Sequence, residues 1–448
     1  MTSIKTFSKG SLDSYQTLFD SLLPWFREHN GEGVIDFRKS GLNRFLDTGF
    51  PSLGDEDWRF TNLKELDGFE PNTNSTLASK APDSSQIDEI PFWRNDYNRL
   101  VFVDGYFCDQ LSTLRDQPKG VDLMPVSAAI KQGLVRVEEI GQYTSGSNAN
   151  YFVPLNDALF QDGLYLRVAK GVSVNGVVQV VYLSTGVAGN IHFPRQVVIM
   201  GESASATVLE QHHNLVNGSL FKNSVSEIFL GERSNFECVK LQMEPADSLH
   251  FGSYFIHATT ESQFKFHSFD AGAGLSRNTL KTHLNGTHIN GVLNGLYLGK
   301  GRQLSDHHMV VEHMQPMCES HEYFNGILDD RARGVFHGRI YVDPKGQKTD
   351  AKQTNKNILL TDDVVVDTKP QLEIYADDVK CTHGATIGQL SEESLFYMQA
   401  RGISKREARR ILIHAFAGEI VERIDFEEIR DEVNQIIWDA LDHLPSLL

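Results

Sequence analysis

Residues 201–263 read GESASATVLEQHHNLVNGSLFKNSVSEIFLGERSNFECVKLQMEPADSLHFGSYFIHATTESQ. Gly201-Glu202-Ser203 opens one run of alternating residues, Gly231-Glu232-Arg233-Ser234 the next, and Thr260-Glu261-Ser262 a third. Glu202 to Glu232 is 30 residues and Glu232 to Glu261 is 29. The runs they open, such as 206–210 and 236–243, are rich in β-branched and aromatic residues and read as strands. A near-constant period in strand-rich sequence is what a solenoid produces, because each coil buries its apolar face on its neighbours. A β-sandwich is the competing reading of the strands alone.

The same texture extends from about 163 to 390, with runs at 164–168, 177–183, 196–200, 264–269, 293–298, 335–342 and 364–366. Both flanks differ. Leu12, Tyr15, Leu18, Phe19, Leu22, Leu23 and Phe26 fall at helical spacing, in a helix expected to be interrupted near Pro24. A second helix is expected over 37–46, with Trp58 and Phe60 anchoring a small helical cap. Residues 71–91, dense in Ser, Asn, Pro and Asp, read as a linker or exposed loop. Then come a strand at 100–107, a helix over 128–140, a loop at 145–150 and a short helix in VPLNDALF. After 390, Ser391 caps a helix that Gly402 closes, and Ser404 with Glu407 forms a capping box. Behind that box Ala408, Ile411, Leu412, Ala415 and Phe416 make one apolar stripe. A third helix is expected to start at Asp425 and Glu428. The expected division is 1–95 helical with a linker, 96–390 a β core, and 391–448 helical.

The chain has 448 residues and a formal net charge of -17. That charge argues against a nucleic-acid binder and against adhesion to anionic membranes. No apolar run approaches a membrane span, and the N-terminus lacks the apolar core of a secretory signal. Four cysteines (Cys108, Cys238, Cys318 and Cys381) are scattered and include no CxxC, which suits a reducing cytoplasm and not a disulfide framework.

Residues 372–390 read LEIYADDVKCTHGATIGQL. In an extended chain Cys381 and His383 share a face and present a thiol beside an imidazole. Such a pair suits iron, zinc or copper, although two ligands cannot close a four-ligand site. A free cysteine is otherwise a small buried hydrophobe. Histidines crowd the middle of the chain, and His307, His308 and His313 with Glu312 form the best alternative cluster. HExxH, GxxxxGK[ST], GxGxxG after a strand, and GxSxG are all missing, so zincin, P-loop, dinucleotide and hydrolase readings fail. Cys381 and His383 as a nucleophile–base pair would lack an orienting Asn or Asp.

DDVKCTHGATIGQL at 377–390, followed by LFYMQARGIS at 395–404, resembles the signature of the SufD subunits of the SUF iron–sulfur cluster assembly machinery. EDWRFT at 56–61 is similar to the motif near the family's N-terminus. The resemblance runs from about residue 150 onward, and 65–150 matches only loosely. The related SufB subunits lack the Cys-x-His-Gly pattern. The resemblance implies a mainly β fold, a right-handed parallel β-helix core flanked by N-terminal and C-terminal α-helical domains. It implies a non-catalytic scaffold that pairs with a SufB-like paralogue, or with a second copy as a homodimer in isolation. It implies docking of a SufC-type ABC ATPase, which supplies the missing P-loop, through Arg401, Lys405, Arg406, Arg409, Arg410 and Phe416. It further implies a transient iron–sulfur cluster shared with SufB, with His383 as ligand and Cys381 assisting, and no cofactor held tightly by the isolated chain. A cytoplasmic setting follows. The alternative is a free-standing cupin-like metalloenzyme that uses the central histidines.

Overall fold

The structure, a computed structural model, describes residues 9–30, 32–69, 82, 84–93, 96–135, 140, 141, 144, 151–185, 190–215, 217–444 and 446. The expected linker at 71–91 lies largely, and the expected loop at 145–150 wholly, outside these residues.

Two sheets run the length of the core, and each coil of chain gives one strand to each. The coils run from Leu164–Val168 with Ser173–Ser184 to Val365–Ile374 with Lys380–Gly388, about eight in all. An antiparallel strand, Tyr106–Phe107 in one sheet and Val121–Pro125 in the other, ends each sheet at the N-terminal side, and strands of successive coils are parallel neighbours within a sheet. Phe236, for example, lies between Ala206 and Phe264. This is a parallel β-solenoid, and the sandwich reading falls because its strands would pair antiparallel. Inward side chains, among them Val208, Cys238, Phe266 and Leu293, form one continuous core.

The motif that opens the strand runs is the corner turn of the coil. Ser203, Arg233 and Glu261 all adopt left-handed φ, at 55°, 56° and 59°. Their backbone N–H groups donate to the carbonyls of Glu232, Thr260 and Thr287 in the following coil, at 2.7, 3.0 and 2.8 Å. The coils are thus bonded at the corner as well as along the strands. Glu261 is the structural counterpart of Arg233, not of Glu232. The coil that begins at Gly231 is therefore one residue shorter than the spacing of the glutamates suggests.

Helices cover both sheets. α1 (Lys9–Asn30) and α2 (Glu32–Thr48) precede two short helices, α3 (Ser84–Ile87) and α4 (Val126–Lys131), and then α5 (Phe152–Leu159). Apolar side chains of α1, α2 and α5 pack on outward residues of the second sheet, including Tyr165, Val197, Phe221 and Phe251. α1 passes through Pro24 without interruption. Phe19, Leu22 and Phe26 are buried on either side of Pro24, and that packing outweighs the missing backbone donor. Of the helix expected over 128–140, the described residues form only α4, with Gly133, at φ 69°, following its end, and residues 136–139 lie outside the described residues.

Arg195 ties α5 to the coils. It is fully buried, and its guanidinium donates to Asp157 on α5 at 2.6 Å and to Glu227 in the next coil at 2.5 Å.

The tail forms α6 (Glu392–Ala400), α7 (Lys405–Val421) and α8 (Glu427–Leu441). Ser391 and Ser404 cap α6 and α7, accepting from the backbone N–H of Ser394 and Glu407 at 3.2 Å each. α7 and α8 lie on outward residues of the first sheet, among them Leu209, Val239, Leu241 and Leu296. α8 starts after the expected Asp425, because Asp425 is bound outward. Its carboxylate meets Lys265 at 2.5 Å and its N–H donates to Glu237 at 2.9 Å. No helix among the described residues is long and apolar enough to cross a membrane.

Candidate functional site at the open end of the solenoid

Both sheets stop at the same end. Lys380–Gly388 pairs only with Asp350–Leu359, and Val365–Ile374 closes the other sheet. The earlier strands of the coils are bonded on both sides, apart from the short Asn190–His192, which pairs only with Leu220–Leu230, so these two keep an unpaired edge at the end of each sheet. Of the nine large hydrophobic residues exposed among the described residues, six fall here or on α6: Val365, Ile374, Tyr375, Ile387, Phe396 and Tyr397. Exposed apolar groups concentrated at an open edge mark an interaction surface.

Cys381 and His383 lie on this last strand, as the alternation requires, but their surroundings differ. Cys381 is half-buried against Ile340, Val342, Ala351 and Ala376. Burial, with Asp350 nearby, pushes its thiol up from the ordinary value. His383 is exposed, and it makes no hydrogen bond or ion pair among the described residues. His383 is in register with Gln353, and Gln353 with Glu322. Both are buried, and the Gln353 amide donates to the Glu322 carboxyl at 2.9 Å. Burial pushes the Glu322 carboxyl up to about 8. Two polar rungs, Glu322 and Gln353, thus separate the apolar interior from the free imidazole. A thiol with a raised pKa is a reluctant metal ligand, whereas an unengaged imidazole is ready to bind.

The basic residues of the tail divide. Arg401, Lys405 and Arg406 are exposed around α6 and the start of α7, Arg401 donating to the Tyr397 hydroxyl at 3.3 Å. Arg409 is half-buried. Arg410 is tied down: it pairs with Asp442 at 2.8 Å and stacks over Trp438. Phe416 packs against the apolar layer under α7, and its carbonyl accepts from Asn325 at 3.0 Å. The free part of this surface is therefore Arg401, Lys405 and Arg406 with Phe396 and Tyr397.

The cluster of His307, His308, His313 and Glu312 is not one site. Strand alternation sends His307 and His313 inward, to Asp270 at 2.9 Å and Ser320 at 2.8 Å. Glu312 faces outward to Lys281 and His283, at 3.1 and 3.0 Å. His308 also faces outward, where Asp57 lies 3.9 Å away and 3.7 Å from His337. Arg277 donates to His308 Nδ1 at 2.9 Å, so a metal ion there would meet a guanidinium. With the cluster divided and the fold a solenoid, the cupin-like reading loses its basis. The EDWR motif is a clamp: Glu56 pairs with Lys369 at 2.5 Å, and Trp58 is buried under the Arg277 guanidinium. Sequence reasoning did not single out Glu322 and Gln353. Their signal was two polar residues about 31 apart at an inward position, legible only once the coil register is known.

Residues 182–416 match the family model for the SUF system FeS cluster assembly SufBD core domain, and residues 9–180 match that for the SufBD protein N-terminal region. The chain is 32% identical over 421 residues to the iron–sulfur cluster assembly protein SufD of Escherichia coli, covering 92% of this chain and 95% of that one. It is 30% identical over 415 residues to a SufBD family protein of Synechocystis, covering 90% of each. It is 25% identical to SufD of Bacillus subtilis, covering 85% of this chain and 87% of that one. With the solenoid and the Cys-x-His-Gly strand already in place, these matches show that the chain belongs to the SufBD family, on its SufD side, and serves SUF iron–sulfur cluster assembly.

Proposed function

We propose that this chain is a non-catalytic scaffold subunit that completes its cluster-assembly site by pairing its open solenoid end with a SufB-like paralogue. The observation that carries this reading is His383, an unengaged imidazole at the uncovered end of an otherwise closed interior row. The nascent iron–sulfur cluster is cargo held between subunits. His383 is this chain's ligand, Cys381 assists, and the paralogue donates the remainder, since a cluster normally takes four protein ligands. One imidazole binds less tenaciously than a full thiolate set, which suits a site that must release its product. The chain helps iron reach that site, and no cofactor stays tightly bound to it alone. α6 and the start of α7, with Arg401, Lys405 and Arg406, dock the SufC-type ABC ATPase. The working compartment is the cytoplasm. The reading keeps the division into 1–95, 96–390 and 391–448, with the last segment as the docking element.

The test is copurification from cells that express all three subunits. Ile387→Lys places a charge on the exposed apolar end of the last strand. It should cost the chain its paralogue while the ATPase is retained. An unchanged three-subunit complex would contradict the proposed interface.

A further inference from the structure

Gln353 is the register partner of His383, one coil further in. Its side chain is held from two sides. The amide nitrogen donates to Glu322 at 2.9 Å, which decides the end of the amide that faces the coil below. Gly338, on the other sheet, makes room for the group, since a Cβ at that position would collide with the Gln353 amide. The carbonyl end is left over. Gln353 Oε1 is buried and has no hydrogen-bond partner among the described residues. A buried acceptor without a donor costs free energy and calls for a physical account.

We propose that Gln353 is the positioning residue for His383: once a paralogue covers the open end, Gln353 Oε1 accepts the hydrogen of one ring nitrogen and leaves the lone pair of the other nitrogen for iron. The inference rests on the reading of His383 as a cluster ligand and adds the residue that orients it. Imidazoles that bind metal characteristically donate their second N–H to a carbonyl, a carboxylate or water. That bond sets the tautomer and ring orientation and makes the ligand more basic. His383 has no such partner among the described residues, and its register partner carries an acceptor with no donor. The reach is demonstrated twice in the same sheet. Gln353 meets Glu322 across one coil, and the Asn294 amide meets the His267 imidazole across one coil at 3.0 Å, each pair being in register. Glu322 takes part at one remove: by accepting from the amide nitrogen it keeps the carbonyl turned away from itself.

The test uses the purified three-subunit complex reconstituted with iron and sulfide. Gln353→Leu should lower cluster content by about tenfold or more, the usual cost of removing such a partner, with the complex and its ATP hydrolysis intact. Gln353→Glu keeps an acceptor in the same place and should restore most of that loss. Pulsed electron paramagnetic resonance of the reduced cluster supplies a signature that a merely structural role would not move. The quadrupole coupling of the remote ring nitrogen responds to the hydrogen bond at that atom, so it should shift between the unaltered complex and Gln353→Glu. An unshifted coupling, or full cluster content in Gln353→Leu, would overturn the inference and leave His383 as the ligand. Normal cluster content in His383→Ala would overturn the ligand reading and this inference with it. The coupling in Gln353→Glu decides even if Gln353→Leu loses the complex.

Discussion

Gln353 and His383 are register partners in the last two strands of one sheet, yet Gln353 is 1% exposed and His383 is open to solvent. They belong to one inward row that also contains Val208, Cys238, Phe266, Leu293 and Glu322, all buried. His383 is exposed because no coil follows to cover it. An interior position left uncovered, on a strand with an unpaired edge, is a place where another chain can supply the next layer.

One step further in, Glu322 makes the stability of this end depend on pH. Its carboxyl is pushed up to about 8 by burial, with Gln353 offsetting part of the shift. The folded state therefore holds a proton that the unfolded chain gives up near the ordinary glutamate value of about 4.3. Stability contributed by this group is complete below that value, falls as pH rises toward about 8, and is level above it. The slope is at most about 1.4 kcal/mol per pH unit. Glu322→Gln should flatten it, so chemical denaturation at a series of pH values should show the variant gaining on the parent from pH ~5 to ~8. Parallel curves would contradict the buried protonated state.

Arg195 should be among the most costly residues to lose. Its guanidinium sits fully buried between Asp157 and Glu227, and removing it leaves Glu227 with only the Gly141 N–H and Asp157 with only Arg44 as partners among the described residues. Arg195→Met should destabilise the chain by about 3–5 kcal/mol, with α5 loosened from the coils. Denaturant unfolding measures the loss, and a change below about 1 kcal/mol would mean that solvent or other groups take over the pairing.

Much of this architecture was legible in the chain itself. Ser203, Arg233 and Glu261 sit in turn motifs that repeat because the corner needs the same left-handed residue every coil, and that recurrence betrays the solenoid. Ser391 and Ser404 announced their helices because capping is local chemistry. Pro24 misled, because burial of Phe19, Leu22 and Phe26 is a tertiary effect that local rules do not include. The histidines misled for a related reason: His307 and His308 are neighbours in sequence but face opposite sides of a strand. The Cys381–His383 pair was visible in the sequence. The uncovered row behind it was not, because it depends on register between coils about 30 residues apart.

The exposed cations of the tail should govern docking of the ATPase and not the fold. Lys405 and Arg406 are exposed at the first turn of α7, with no ion pair among the described residues. Lys405→Glu with Arg406→Glu should weaken ATPase binding by about tenfold, or ~1.4 kcal/mol, with a marked salt dependence and unchanged unfolding. Arg410→Glu should instead lower stability, because Arg410 holds α7 to Asp442, the C-cap of α8. Calorimetric titration and thermal melts separate the two effects, and equal affinity for the charge-reversed pair would place the dock elsewhere.

The central claim is that His383 is a cluster ligand at a subunit interface. It is tested most directly by reconstituting clusters on the purified three-subunit complex that carries His383→Ala. The account predicts an intact complex with normal ATP hydrolysis and iron–sulfur content reduced by about tenfold or more, as expected when a ligand is removed. Normal cluster content in the variant, or a complex that falls apart when His383 is replaced, would contradict it.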